Sequence, residues 1–441
     1  MKNLKLRKVF FFLLVISSGL IVTACGGNGG GSGSGDDSDV VVIEYWHVNS
    51  DAFGGAAVEW IIDAFNEEYA GQFEVVGRFN ADMYGGLMSN LQAEVAAGRH
   101  PAVVQVGWAL MDHFEANFNY TTPEELIERF GTEEDQDFLE RMFLPNVLEL
   151  AETRGGTQLG LPWAISTPVL FINQDILREA GLPEEGPETW HEVAEFARQI
   201  RDETSAFGIY IQEPADSWAT QALMESNGAR IIEDAGDGNI QATFASPEGI
   251  EAYQLYADLV ADGSALHISW DEGVNAFVAG EIGMLYTTIA RRAVIQEGAD
   301  FDVTATPSPT WPGNERRIPA GGAMHGVLAQ TDEQLEAAWA FLRFVYSYEA
   351  VAEWVMGTGF MPSIVGVAES DYLSGFLAEN EMMQASLNQM DATVNWVSFP
   401  GDNGLRIEQM LLDMRDRILG GHQEVEEALR ETQDAINAIL D

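Results

Sequence analysis

Short β-branched runs alternate with helical stripes from position 40 onward, and that alternation limits the fold more than any other feature of the chain. VVVIEYW (Val40 to Trp46) has the composition of a buried strand. Val58, Ile61, Ile62, Phe65 and Tyr69 then repeat at helical spacing. FEVVGRF (Phe73 to Phe79) is a second strand, Leu87, Leu91 and Val95 mark a second helix, and AVVQVG (Ala102 to Gly107) is a third strand. Such alternation predicts an α/β fold with parallel sheet built from βαβ units.

The pattern resumes at LPWAISTPVLFINQDIL (Leu161 to Leu177), too apolar for a surface loop and too interrupted by proline for a helix. PVLFIN (Pro168 to Asn173) reads as a buried strand, followed by a helix ending near Gly181. PETWHEVAEFARQI opens another helix with Pro187 in its first turn. Gly283 to Thr287 and Ala323 to Leu328 are further buried strands, and TPSPTWPGNE (Thr306 to Glu315) is a loop. Leu335, Ala338, Trp339, Leu342 and Val345 form a helical stripe, and Leu405 to Leu440 reads as helical throughout.

The first residues address the chain. Lys2, Lys5, Arg7 and Lys8 precede the apolar run Val9 to Val22, too short and wrongly flanked for a membrane span, so residues 1–24 read as a secretory signal peptide. Val22-Thr23-Ala24-Cys25 reads as a lipobox, with Cys25 taking the lipid. The glycine- and serine-rich stretch of residues 25–39 is then a flexible tether. Cys25 is the only cysteine, so its lipidation leaves no thiol for a disulfide, a metal or a nucleophile.

The remaining 400 or so residues exceed one core and point to two lobes. Removing the four positive residues of the leader takes the formal charge from −48 to −52. All three lysines lie in the leader, so the body sets 18 arginines against 70 acids. That imbalance disfavours nucleic acid and anionic membrane surfaces as partners and has the look of adaptation to high salt.

Much chemistry is excluded. Without lysine the body has no Walker A phosphate clamp and no Schiff base. His191-Glu192-Val193-Ala194-Glu195 lacks the second histidine of a metalloprotease, and Asp234 to Asn239 lacks the spaced acids of a calcium loop. No G-x-S-x-G elbow occurs, and the seven histidines are scattered. Neither a metal nor a cofactor is expected.

Six stretches in order resemble the extracellular solute-binding proteins of ABC importers, in particular the glycerol-3-phosphate-binding and sugar-binding group. They are EYWH (Glu44 to His47), HPAVVQVG (His100 to Gly107), the Leu161 stretch continued through PETW, PAGGAMHGVL (Pro319 to Leu328), TGFMPSI (Thr358 to Ile364) and NGLRIEQM (Asn403 to Met410). The resemblance implies a two-lobed periplasmic-binding-protein-like fold with a ligand cleft between lobes joined by hinge strands. It places lobe 1 at residues 40–160 plus 320–363 and lobe 2 at residues 161–319 plus 364–441, with the first crossing near Gly160 to Trp163.

Carried over by position, the resemblance implies binding roles for Tyr84, Ser166, Thr288, Gly321 or Gly322, Phe360 and Arg406. Where the glycerol-3-phosphate protein has an acid after QV, this chain reads Gly107-Trp108, and an indole there favours a stacked sugar ring. Trp46, Trp218 and Trp270 offer further stacking faces, with core packing as the alternative for each. His47, beside Trp46, is a cleft candidate on the same terms. Arg406 has the alternative of an ordinary helix-surface arginine, and Arg291 and Arg292 that of a hinge-side salt bridge.

The expectation is a monomeric, lipid-anchored binding protein outside the cytoplasm that hands a carbohydrate to ABC permease subunits. Glycerol 3-phosphate or a related phosphodiester is the second ligand. A secreted glycan-degrading enzyme and a glycan sensor or adhesin are the rivals from other classes.

Overall fold

The computed structural model of the chain describes residues 40–212, 217–236 and 239–440. The leader, Cys25 and the tether lie outside the described residues. Ten strands build two five-stranded sheets: β1 (Val41–His47), β2 (Phe73–Phe79), β3 (Val103–Gly107), β4 (Leu161–Ser166), β5 (Pro168–Asn173), β6 (Phe207–Ile211), β7 (Ala265–Leu266), β8 (Ile282–Thr288), β9 (Val303–Pro307) and β10 (Gly321–Val327). The first sheet runs β2-β1-β3-β10-β4 and the second β9-β5-β8-β6-β7. Each is the centre of one lobe.

The first three strands are parallel, as the alternation predicts, with Tyr45 beside Val103 and Trp46 beside Val104. The rest corrects an all-parallel sheet. β10 returns from late in the chain and lies antiparallel between β3 and β4, and β5 runs antiparallel to β8 and β9. A strand that comes back from the other lobe enters from the opposite end, which local periodicity cannot reveal.

Helices cover the sheets with the faces their stripes define. The helix Gly55–Glu68 buries Val58, Ile61, Ile62 and Phe65, and Tyr69, just past its end, stacks on Phe65 at 4.5 Å. The helix of the PETW stretch starts at Trp190, later than Pro187, because Thr189 caps it and Glu192 closes a capping box by accepting from the Thr189 and Glu188 amides. Glu192 of the His-Glu pair is therefore a capping carboxylate. The tail is two helices, Gly404–Leu419 and Val425–Leu440, broken at Gly420–Gly421.

A directed chain of hydrogen bonds ties the first sheet together. Gln105 Nε2 donates to the Tyr45 hydroxyl (2.7 Å), which lies 2.9 Å from His325 Nε2. Tyr346 donates to the Leu161 carbonyl (2.8 Å), so it is left to accept from His325 Nδ1 at 3.2 Å. Donor accounting thus makes His325 a neutral imidazole with its proton on Nδ1, and its ring also stacks on Trp163.

Burial pushes the His325 pKa down to about 3. The unfolded chain takes up that proton near pH ~6.5. Its contribution to stability is therefore whole above about pH 6.5 and is lost progressively as pH falls toward about 3, because the unfolded state then binds the extra proton. Denaturant titrations between neutral and acidic pH should show this decline, and His325→Gln should make it shallower; an unchanged slope would contradict the role assigned to His325.

Candidate functional site between the two sheets

β4 and β5 are separated by one residue, Thr167, so the chain leaves the first sheet for the second at that point. The change of sheet comes after Ser166, whereas the resemblance implies a crossing near Gly160 to Trp163, because β4 stays paired with β10 from Leu161 to Ser166, with a break in register at Trp163. Thr167 is wholly buried. Its hydroxyl lies 2.7 Å from Ser386 Oγ and accepts from Gln389 Nε2 at 2.8 Å, while its carbonyl accepts from the Ile289 amide. Met361 N donates to the Ile165 carbonyl beside it.

A cavity of about 30 Å³ opens next to it, lined by Phe53, Met83, Tyr84, Ser166, Gln212, Trp218, Trp270, Thr288, Gly321, Gly322, Phe360 and Trp396. Eight of the sequence-derived candidates are brought together here: Tyr84, Ser166, Trp218, Trp270, Thr288, Gly321, Gly322 and Phe360. Among the described residues of the lining, six are aromatic and none carries a charge. The volume would hold about one or two waters and is far below the several hundred Å³ of an ordinary ligand pocket, so a ligand can enter only if the lobes part.

Local backbone constraints position the walls. The Tyr84 ring lies on the backbone of Gly107, where a Cβ would come within 2.5 Å of it. Tyr84 follows Asp82 and Met83, whose φ angles of 61° and 53° are left-handed, a strained turn that aims Met83 and Tyr84 inward. Trp218 opens the helix Trp218–Ser226 and donates its indole N–H to the Pro319 carbonyl at 3.0 Å. A side chain at position 321 would press on the Trp218 ring at 2.8 Å and on Ser166 Oγ at 2.7 Å, so only glycine lets these two line the cavity together. Trp270 donates to Thr287 Oγ1 at 3.0 Å.

The rim of the cavity is held by Arg291. Its guanidinium sits 3.9 Å from the Trp270 ring and 5.0 Å from the Phe53 ring, donates to the Ala52 carbonyl (2.8 Å) and pairs with Asp271 (2.7 Å). Ala52 and Phe53 follow β1 of the first sheet, whereas Asp271 and Arg291 flank β8 of the second. Burial lowers the Arg291 pKa, against which Asp271 works. The salt bridge expected of Arg291 is present within the second lobe, and it is the bond to the Ala52 carbonyl that reaches the first; Arg292 instead donates to Gln296 and to the Met356 carbonyl.

Trp108 lines a second, open groove of about 590 Å³, together with Asp112, Arg154, Glu225, Arg230, Arg317 and Trp396. Trp396 borders both spaces, so the groove adjoins the cavity at that residue. Arg154 pairs with Asp112 (3.2 Å) and Arg317 with the buried Glu225 (2.8 Å), whose pKa is raised by burial despite Arg317.

Three candidates are not brought to either space. Trp46 is covered by the Arg78 guanidinium at 4.1 Å on the flank of β1, with its indole N–H on Glu44. His47 lines a separate groove with Gly77 and Phe79, and burial lowers its pKa to about 4. Arg406 is exposed on the helix Gly404–Leu419, whose inward face carries Ile407, Glu408 and Leu411. Phe53, Met83, Gln212 and Trp396 were missed by the sequence reading. Gln212 had a signal, a polar residue directly after the buried run of β6; Trp396 sits in irregular chain and had none.

Residues 60–383 match the family described as bacterial extracellular solute-binding protein. The chain belongs to that family. As a solute-binding protein it is a binder and not an enzyme. It is 25% identical to the sn-glycerol-3-phosphate-binding periplasmic protein UgpB of Rhizobium meliloti, over 90% of this chain and 93% of that one. In fold this solute-binding protein is similar to UgpB from Mycobacterium tuberculosis, solved with glycerophosphocholine (TM-score 0.76, 22% identity, 93% and 99% of the two chains). It is also similar to the GacH receptor of Streptomyces glaucescens, solved unliganded and with acarbose (TM-score 0.75, 21% identity, 91% and 98%). The two-lobed fold is that of these proteins. No helix among the described residues is long and apolar enough to cross a membrane.

If Arg291 holds the lobes together, Arg291→Ala removes a cation–π sandwich and an interlobe hydrogen bond worth about 1–2 kcal/mol. Ligand-free hydrogen exchange should rise in the segment containing Ala52 and Phe53, and apparent ligand affinity should fall about tenfold. Exchange equal to the wild type would show that Arg291 does not hold the closed form.

Proposed function

We propose that this solute-binding protein captures a neutral carbohydrate, a mono- or oligosaccharide, between its lobes and delivers it to the permease of an ABC importer. The observation that carries the reading is that the described residues lining the inner cavity are uncharged, six aromatic residues and Met83 with Ser166, Gln212, Thr288 and two glycines. Aromatic faces suit the C–H faces of a pyranose, and the few hydroxyl and amide groups suit its hydroxyls. An anion there would be desolvated without a cation to meet it. The outer groove, with Trp108 and Trp396, gives room for further sugar units.

Import follows from closure: a form with both lobes around the ligand presents one joint surface to a membrane partner. The lipobox ending at Cys25 and the tether behind it support a lipid-anchored receptor outside the cytoplasm. The lobe limits implied by the resemblance are part of this reading, with the first crossing at Thr167.

A second reading is glycerol 3-phosphate or a related phosphodiester. The names of the relatives favour it, and Arg154, Arg230 and Arg317 in the outer groove could receive a phosphate. Two of those arginines already face carboxylates, which weakens it.

The test is thermal unfolding and calorimetry of residues 40–441 in molar salt with glucose, maltose, maltotriose and glycerol 3-phosphate. A saccharide at a hundred times its dissociation constant should add about 2.7 kcal/mol of stability. Trp108→Ala should weaken maltotriose about tenfold while sparing glucose, because Trp108 lies in the outer groove. Stabilisation by glycerol 3-phosphate alone would overturn the carbohydrate reading.

A further inference from the structure

We propose that Gln212 is the specificity-determining donor of the inner cavity, held in one orientation by a relay through Thr287 to Trp270, and that it selects a ligand with an acceptor oxygen at that point. The inference rests on the reading of this cavity as the ligand site. Gln212 follows β6, is buried, and lines the cavity between Trp270 and Thr288.

Its orientation follows from donor and acceptor accounting. The Thr288 backbone N–H donates to one terminal atom of the Gln212 amide at 3.1 Å, and a backbone N–H can only donate, so that atom is Oε1. The Thr287 hydroxyl lies against the same oxygen. Trp270 Nε1–H, also a donor only, lies 3.0 Å from Thr287 Oγ1, so this hydroxyl accepts from the indole and passes its own proton toward Gln212. The relay is thus directional, Trp270 to Thr287 to Gln212 Oε1. Rotating the amide by half a turn would set two N–H groups against each other at Thr288.

With Oε1 taking both bonds, the Nε2 hydrogens remain for the cavity, and no described residue accepts them. The Thr288 hydroxyl accepts from the Ala290 amide at 3.1 Å, which leaves its proton to donate as well. Two donors therefore stand beside the Trp270 ring in an enclosure whose described residues include no carboxylate or guanidinium. That arrangement fits a hydroxyl or ring oxygen on the edge of a pyranose whose face lies on an indole. It disfavours an ammonium or other donor-only group at that edge, which would leave Gln212 Nε2 buried and unsatisfied.

One relay also sets two walls. The Thr287 hydroxyl that donates to the amide also accepts from the Trp270 indole, so stacking surface and donor are tied to one group. Thr287 is wholly buried and acts as a positioning residue.

The experiment uses the chain from residue 40 and whichever of glucose, maltose, maltotriose and glycerol 3-phosphate binds tightest by calorimetry. Gln212→Met should weaken that probe about ten- to a hundredfold. Thr287→Val should weaken it similarly and Thr287→Ser should restore it, since only the hydroxyl is needed. If a sugar is the probe, one monodeoxy analogue should lose affinity for the wild type and lose nothing further for Gln212→Met. Wild-type affinity in Gln212→Met, or losses that add at every deoxy position, would overturn the proposal. If glycerol 3-phosphate is the tightest probe, the neutral-carbohydrate reading falls while the Gln212 and Thr287 variants still decide this one. A ligand-free arm judges the relay whether or not any probe binds: the Trp270 indole ¹⁵N–¹H signal, assigned by Trp270→Phe, should shift in Gln212→Met and Thr287→Val and stay in Thr287→Ser. An unmoved signal would overturn it.

Discussion

Everything at the site hangs on the single residue between β4 and β5. Thr167 is where a strand paired in one sheet becomes a strand paired in the other, and its buried hydroxyl and carbonyl are bound by Ser386, Gln389 and Ile289. A buried peptide with no ladder partner would be costly, and these bonds satisfy it. Because the crossing is tied on several sides, Ser166 before it, Thr288 beside it and Phe360 near Met361 are delivered to one place. A different register in β4, which pairs with β10 from Gly321 to His325, would carry Ser166 and Gly321 away from each other.

Closure is then a matter of what the rim can hold. Phe53 of one lobe meets Trp270 of the other at 5.3 Å, and Arg291 lies against both rings while bonding to the Ala52 carbonyl. Such a contact stabilises the closed form by itself, so a ligand must supply only the difference between open and closed states. Charge plays its part elsewhere. In a chain with formal charge −48, no charged side chain among the described residues lines the inner cavity.

The local elements were legible because their cause is local. Hydrophobic spacing marked β1, β2, β3, β5, β8, the helices that follow β1, β2 and β5 and the helix of the PETW stretch, and an apolar stretch around two prolines marked the crossing; the helices between β3 and β5 and those from Trp218 to Val278 were not marked. The antiparallel β10 was not legible as such, since its partners lie more than a hundred residues away. Within the site, residues carried by the resemblance, such as Tyr84, Ser166 and Thr288, converged. Trp46 and His47, chosen by residue type at a strand end, did not, because type does not say which flank of a strand faces the other lobe. Arg406 could have been set aside from the sequence: Ile407, Leu411, Met414 and Ile418 form the buried stripe of its helix and leave position 406 outside it. Gln212 needed the structure, because its role depends on which atoms of Thr287, Thr288 and Trp270 surround it.

The central claim is that two lobes move about the Thr167 crossing and shut on a neutral sugar. Small-angle scattering of the chain from residue 40, in molar salt with and without saturating saccharide, tests it most directly. The account predicts a smaller radius of gyration with the sugar bound, with the wild type more compact than Arg291→Ala when ligand-free. A radius unchanged by a saccharide that calorimetry shows to be bound would contradict it.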